Sequence, residues 1–96
     1  MFYRQSLSRM ETLIQDRFPD SIPQEGISPA TIHQHILWMI GRIRQFDTSS
    51  VGDATKAARW IGWMYCVCEL VLHLWDNSTS RDIAREDVSQ GNHLPH

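Results

Sequence analysis

An excess of charge of one sign is the first thing this chain lacks. Its 96 residues carry nine Lys and Arg against eleven Asp and Glu, a net charge of −2. The broad positive field of a sequence-independent nucleic-acid binder is therefore missing, which disfavours DNA as the main ligand. Cysteine is scarce too. Cys66 and Cys68 are the only two, and two positions apart on a helix they point about 200° away from each other, so they do not pair. That removes a disulfide framework and any Cys-x-x-Cys redox or zinc motif, and it fits a reducing cytoplasm. There is no long apolar run. The stretch Trp60 to Trp75 is interrupted by Glu69 and His73 and falls short of the roughly twenty residues of a membrane span, so it reads as a buried core helix. The opening Met1-Phe2-Tyr3-Arg4-Gln5-Ser6 lacks the apolar centre of a secretory signal, so no export is expected.

Alternating β-type patterns and internal repeats are also missing, which leaves the 3.6-residue period as the organising signal. With 42% hydrophobic and 21% charged residues the chain lies away from the composition of disorder, and at this length it forms one core. Residues 2–18 place Tyr3, Leu7, Met10, Leu13, Ile14 and Phe18 at spacings of three and four, a first amphipathic helix that stops at Pro19. The segment from Pro19 to Gly26 reads as an extended connection. A second helix is predicted to start with Ser28 as N-cap and Pro29 in the first turn, burying Ile32, Ile36, Met39, Ile40, Ile43 and Phe46.

Ser50 and Asp53 form a capping-box pattern that opens a third helix, expected to run to about Asp76 and, being apolar around more than half its circumference, to be surrounded. Thr79 with Asp82 marks a short fourth helix, stopped by Gly91. The expected fold is all-α: a small antiparallel bundle of three main helices and a short C-terminal one, built around the third. Residues 1–91 form the domain and residues 92–96 a flexible tail. Gly41 and Gly62 lie inside helices, at a cost of about 1 kcal/mol each relative to Ala, which is explained where a neighbouring helix or a partner approaches closely.

Phosphate-binding glycine loops, Gly-x-Ser-x-Gly elbows and Glu-x-x-His metal motifs do not occur, so no cofactor is implied and an enzyme is not expected. Glu69, His73 and Asp76, spaced to share one face of the third helix, are the weak candidates for metal binding or hydrolysis. The favoured reading of the three is the solvated stripe of a mostly buried helix. His33 and His35 point about 200° apart and are ordinary flanking polar residues. Of four tryptophans, Trp60 and Trp75 fall on the core stripe of the third helix. Trp38 lies about 120° from the centre of the second helix's apolar stripe, in line with His35, Arg42 and Gln45 and largely exposed in a lone monomer. Trp63 and Leu70 widen the apolar face of the third helix. Trp38, Arg42, Trp63 and Leu70 are therefore the candidate protein-contact surface, unless the first or fourth helix covers them. Eight arginines stand beside one lysine, Lys56; Arg42, Arg44 and Arg59 are the residues a DNA-associated regulator would use.

The run Lys56-Ala57-Ala58-Arg59-Trp60-Ile61-Gly62-Trp63, followed by Trp75-Asp76-Asn77-Ser78-Thr79-Ser80-Arg81-Asp82-Ile83, resembles a Lys-x-x-Arg-Trp-hydrophobic-Gly-aromatic pattern in small uncharacterised phage and prophage proteins. The resemblance covers about a third of the chain. It implies a mobile-element origin and transfers no catalytic residues. The function expected by analogy is a non-enzymatic accessory protein that binds a host or phage protein, of the inhibitor or counter-defence type such as an anti-CRISPR. A homodimer through the same surface is compatible with it.

Overall fold

Ser6, Asp87 and Tyr65, far apart in sequence, meet at the point where the helices of this protein are tied together. The structure, a computed structural model, describes residues 1–95. Among them are α1 (Arg4–Arg17), α2 (Ile32–Arg44), α3 (Val51–Cys66) and α4 (Asn77–Ser89), with a π-helical turn, Val67–Val71, continuing α3. The Cα envelope of 35 × 28 × 18 Å is about two helix layers thick. This is the all-α helical bundle that the periodicity predicts, with no strand among the described residues. No helix in them is long and apolar enough to cross a membrane.

The apolar stripes explain the packing. Leu7, Met10 and Ile14 of α1, Ile36, Ile40 and Ile43 of α2, and Ala57, Met64 and Cys68 of the third segment are fully or almost fully buried, with Phe2 plugging one end. The hub differs from expectation: α1 packs on both α4 and α2, whereas the α2–α3 contact is slighter. The third helix is not surrounded. Thr55, Ala58, Arg59, Gly62, Trp63 and Cys66 leave one face of α3 open to solvent. A Cβ built at Gly41 or Gly62 meets nothing within 4 Å, so no neighbouring helix of the chain accounts for either glycine.

The first turn of α1 has no cap of its own. Tyr3 adopts a left-handed conformation (φ 54°) and provides no side-chain cap. The Asp87 carboxylate, 0% exposed, supplies it from α4. The Gln5 N–H donates to Oδ1 at 2.9 Å and the Ser6 N–H to Oδ2 at 3.0 Å. Ser6 Oγ also donates to Oδ2, at 2.5 Å, so Tyr65 in turn donates its hydroxyl hydrogen to Ser6 Oγ. Asn92 Nδ2 completes the set on Oδ1 at 3.1 Å. The dipole of α1 favours a carboxylate here, and four donors repay its desolvation.

Helix boundaries depart from the sequence in three places. Ser28–Thr31 forms a separate turn, Thr31 N–H to Ser28 C=O at 3.0 Å, so α2 begins at Ile32 with Thr31 as N-cap. At the end of α3, the Leu72 N–H bonds back to the Val67 carbonyl and Leu74 N–H to that of Cys68. The π turn slips the apolar phase by one residue: Val71, three positions after Cys68 on the helical period, is 52% exposed, while Leu72 is buried. His73 then takes φ 52° and ends the run well before Asp76. Asp76, not Thr79, is the N-cap of α4, its Oδ1 accepting the Thr79 N–H at 2.8 Å.

Other signals hold. Ser50 Oγ accepts the Asp53 N–H at 3.1 Å, although Asp53 reaches back to the N–H of Asp47 rather than that of Ser50. Gly91 (φ 72°) stops α4 with Gly91 N–H to Val88 and Asn92 N–H to Asp87, a Schellman closure. Asn92, assigned to the tail by its sequence, is bonded to Asp87 and, through its carbonyl, to the N–H of Tyr3. His96, the last residue of that expected tail, lies outside the described residues.

Asp87→Ala leaves four buried or half-buried donors without an acceptor and is expected to cost about 3 kcal/mol or more. The melting temperature should fall by roughly 12 °C or more. Ser6→Ala, which keeps both backbone bonds, should cost about 1–2 kcal/mol in the same scan.

Burial pushes the Tyr65 hydroxyl from 10.0 up to about 12, with the Asp87 charge adding to it. Burial likewise raises the Cys68 thiol from 9.0 to about 12. Both groups lose protons first in the unfolded chain, so stability is full below pH about 9 and declines as pH rises towards about 12. Urea titrations across that window should show the midpoint falling, and falling less in Tyr65→Phe.

Candidate functional site

Two helical stripes face each other across the open side of the α2–α3 pair. From α2 come His35, Trp38, Met39 and Arg42, and from α3 come Lys56, Arg59, Trp60 and Trp63, each set spaced at three and four residues. Between them lies a cleft of about 370 Å³ lined by His35, Trp38, Met39, Arg59, Trp60 and Trp63, with Glu25 and Ile27 on its third side. Trp38 and Trp60 sit 6.0 Å apart with planes tilted by 30°. His35 stacks on Trp38 at 5.4 Å and meets Trp63 edge-on at 5.8 Å.

The third side is a strap, the extended segment that follows α1, and the two histidines of α2 hold it. The Gly26 N–H donates to His35 Nδ1 at 3.0 Å. Gln24 N–H donates to the Gln34 carbonyl at 3.1 Å. At the other end His33 stacks on Phe18 with centroids 4.0 Å apart, and its Nδ1 pairs with Ser21 Oγ at 2.8 Å. Gly26 has φ 149°, a conformation that side-chain-bearing residues rarely adopt, which directs Ile27 towards the cleft. The two histidines do point to different surroundings, as their spacing requires, but they are structural staples rather than ordinary flanking residues.

The surroundings of the ring faces are cationic. The Arg42 guanidinium lies 5.9 Å from the Trp38 centroid. Lys56 Nζ lies 5.1 Å from that of Trp60 and 5.5 Å from that of Phe46. These contacts hold both side chains over the indoles by cation–π attraction.

The contact residues expected from sequence are only partly brought together. Trp38 and Arg42 touch, and Trp63, 36% exposed, shares the cleft with Trp38. Trp38 itself is half-buried against the core rather than largely exposed. Leu70 does not line the cleft; it lies on the π turn, 67% exposed. Trp60, placed on the core stripe, is half-buried and part of the cleft, and only Trp75 is buried. Sequence reasoning missed Glu25, Ile27 and Lys56, and it put His35 in line with Trp38 without counting it in the contact surface, although the repeated three- and four-residue spacing on both helices carried a signal for His35 and Lys56.

Glu69, His73 and Asp76 do not form one helical stripe. The π turn and the left-handed His73 separate them, and the Asp76 carboxylate is committed to capping α4. No group of three His, Cys, Asp or Glu residues positioned to hold a metal ion occurs among the described residues. Of the arginines considered for DNA, Arg44 is tied to Glu11 by a two-pronged pair at 2.7 and 3.2 Å.

No protein-family model, curated protein or solved structure matches this chain.

Trp63→Ala should cost about 1 kcal/mol, since its side chain is only partly covered. Trp38→Ala, which removes the plane between His35 and Trp60, should cost about 2 kcal/mol. Urea unfolding of the two variants beside wild type checks both values.

Proposed function

We propose that this chain is a non-enzymatic binding protein that engages a protein partner through the Trp38–Trp60–Trp63 cleft. Its class would be that of phage or prophage accessory proteins acting as inhibitors or counter-defence factors, as anti-CRISPR proteins do. The observation that carries the reading is the preformed concave site, in which three indoles and a half-covered rim occur on a chain of only 96 residues. Indole side chains in clefts are typical interface anchors, since they supply large area at little rotamer cost. The Lys56–Trp63 run and the segment Trp75–Ile83, with their resemblance to phage and prophage proteins, support the mobile-element part of the reading.

A homodimer through the outer face of α3 is a second reading. Gly62, Trp63 and Cys66 are exposed there in consecutive positions of one helical face, and the open space at Gly62 would admit another helix. In a monomer Gly62→Ala should stabilise the helix by about 1 kcal/mol. In a dimer packed at this point it should instead weaken association in sedimentation equilibrium.

The primary test is affinity capture from bacterial lysate with wild type and Trp63→Ala in parallel, followed by mass spectrometry. One protein enriched by wild type and lost in the variant is expected. Its purified form should bind Trp63→Ala about thirtyfold more weakly, the loss expected of a hot-spot anchor. Equal enrichment by both proteins would count against the cleft as the binding site.

A further inference from the structure

The cleft has a charge character that the chain as a whole does not. The protein carries a net charge of −2, yet Arg42 and Lys56 lie over the Trp38 and Trp60 rings and Arg59 lines the cleft, against one lining acid, Glu25. The ion pairs among the described residues are Arg44–Glu11 and Arg85–Asp82. None of the three rim cations has a carboxylate partner there. Two of them are held against indole faces, where water is partly displaced and an arriving anion is felt more strongly.

His35 adds direction. It is 8% exposed, and its Nδ1 accepts the Gly26 N–H, so its ring N–H is at Nε2. No protein group among the described residues accepts from that nitrogen. An apolar floor, a lining histidine whose N–H has no protein acceptor and three cations without carboxylate partners together describe an occupant with a large apolar side chain, an acceptor beside it and negative charge around it.

Resting on the reading of the cleft as a protein-binding site, we infer that its occupant is an acidic segment of the partner. A large apolar or aromatic side chain enters between Trp38, Trp60 and Trp63. Neighbouring Asp or Glu residues meet Arg42, Lys56 and Arg59, and a backbone carbonyl accepts from His35 Nε2. Single-stranded nucleic acid shares the anionic chemistry but needs open ring faces for base stacking. Here Arg42 and His35 occupy Trp38, and Lys56 occupies Trp60.

The test is a display selection of random twelve-residue peptides on the folded full chain, with Trp63→Ala as the counter-selection. The expected consensus contains one large apolar residue flanked by Asp or Glu. A synthetic consensus peptide should bind about tenfold or more weakly to Arg42→Glu and to Arg59→Glu. Both residues are exposed, so the variants should keep the wild-type circular dichroism. Affinity should also fall about tenfold or more between 50 and 500 mM sodium chloride. Peptides that need Trp63 but are neutral or basic would overturn the acidic occupant and leave the cleft as a binding site. No enrichment over Trp63→Ala would overturn both. A twelve-residue oligothymidylate that binds wild type more tightly than the selected peptide would replace the peptide with nucleic acid.

Discussion

One buried carboxylate holds this small bundle in register. Asp87 sits at the start of α1, where a helix has unpaired N–H groups and a positive dipole end, and it answers both at once. Through Ser6 it reaches Tyr65 on α3, and through Asn92 it reaches the segment that follows α4. Three helices and the closing turn therefore converge on two oxygen atoms. A hydrophobic core alone specifies contact area and tolerates sliding, whereas this cluster admits a single relative placement of α1 and α4. The Schellman closure at Gly91 belongs to the same arrangement, because it turns the chain so that Asn92 reaches Asp87 with both its backbone and its side chain.

That fixed frame leaves α3 free to be used on its outside. With α1 and α4 forming the tightest pair, α3 is covered on one side only, and its remaining aromatic surface is shared with α2 and the strap. The strap is held at both ends by side chains of α2 rather than by a core of its own: His33 through Phe18 and Ser21, and His35 through Gly26. The cleft walls are thus set by ring stacking and a few directed hydrogen bonds. Its rim consists of cations resting on indoles, which keeps long side chains ordered without ion pairing.

The helical class and most of the core were legible because they depend on local periodicity. The stripe Ile36, Ile40 and Ile43, the cap at Ser50 and the stop at Gly91 needed no partner from elsewhere to be seen. Asp87 was not legible. On its own helix it looks like one more polar residue of α4, and its partners Gln5 and Ser6 lie more than eighty positions away. The same limit applies to His35, whose staple to Gly26 depends on the path of an aperiodic strap. The π turn defeated periodicity itself: one additional residue exchanged Val71 for Leu72 in the core and carried Leu70 away from the surface shared by Trp38 and Trp63. With it went the common helix face assumed for Glu69, His73 and Asp76.

The distance in sequence between α1 and its cap also has a meaning in time. A ribosome adding about 5–20 residues per second needs roughly 4–16 s to travel the 82 positions from Gln5 to Asp87. Throughout that interval the first helix has been made, while the group that completes its opening turn has not. The nascent chain must carry Leu7, Met10 and Ile14 without α4 beside them until that helix emerges. Closure of the first helix therefore waits until α4 has been made, and a transcript truncated before Asp87 would yield a chain without the closing interaction.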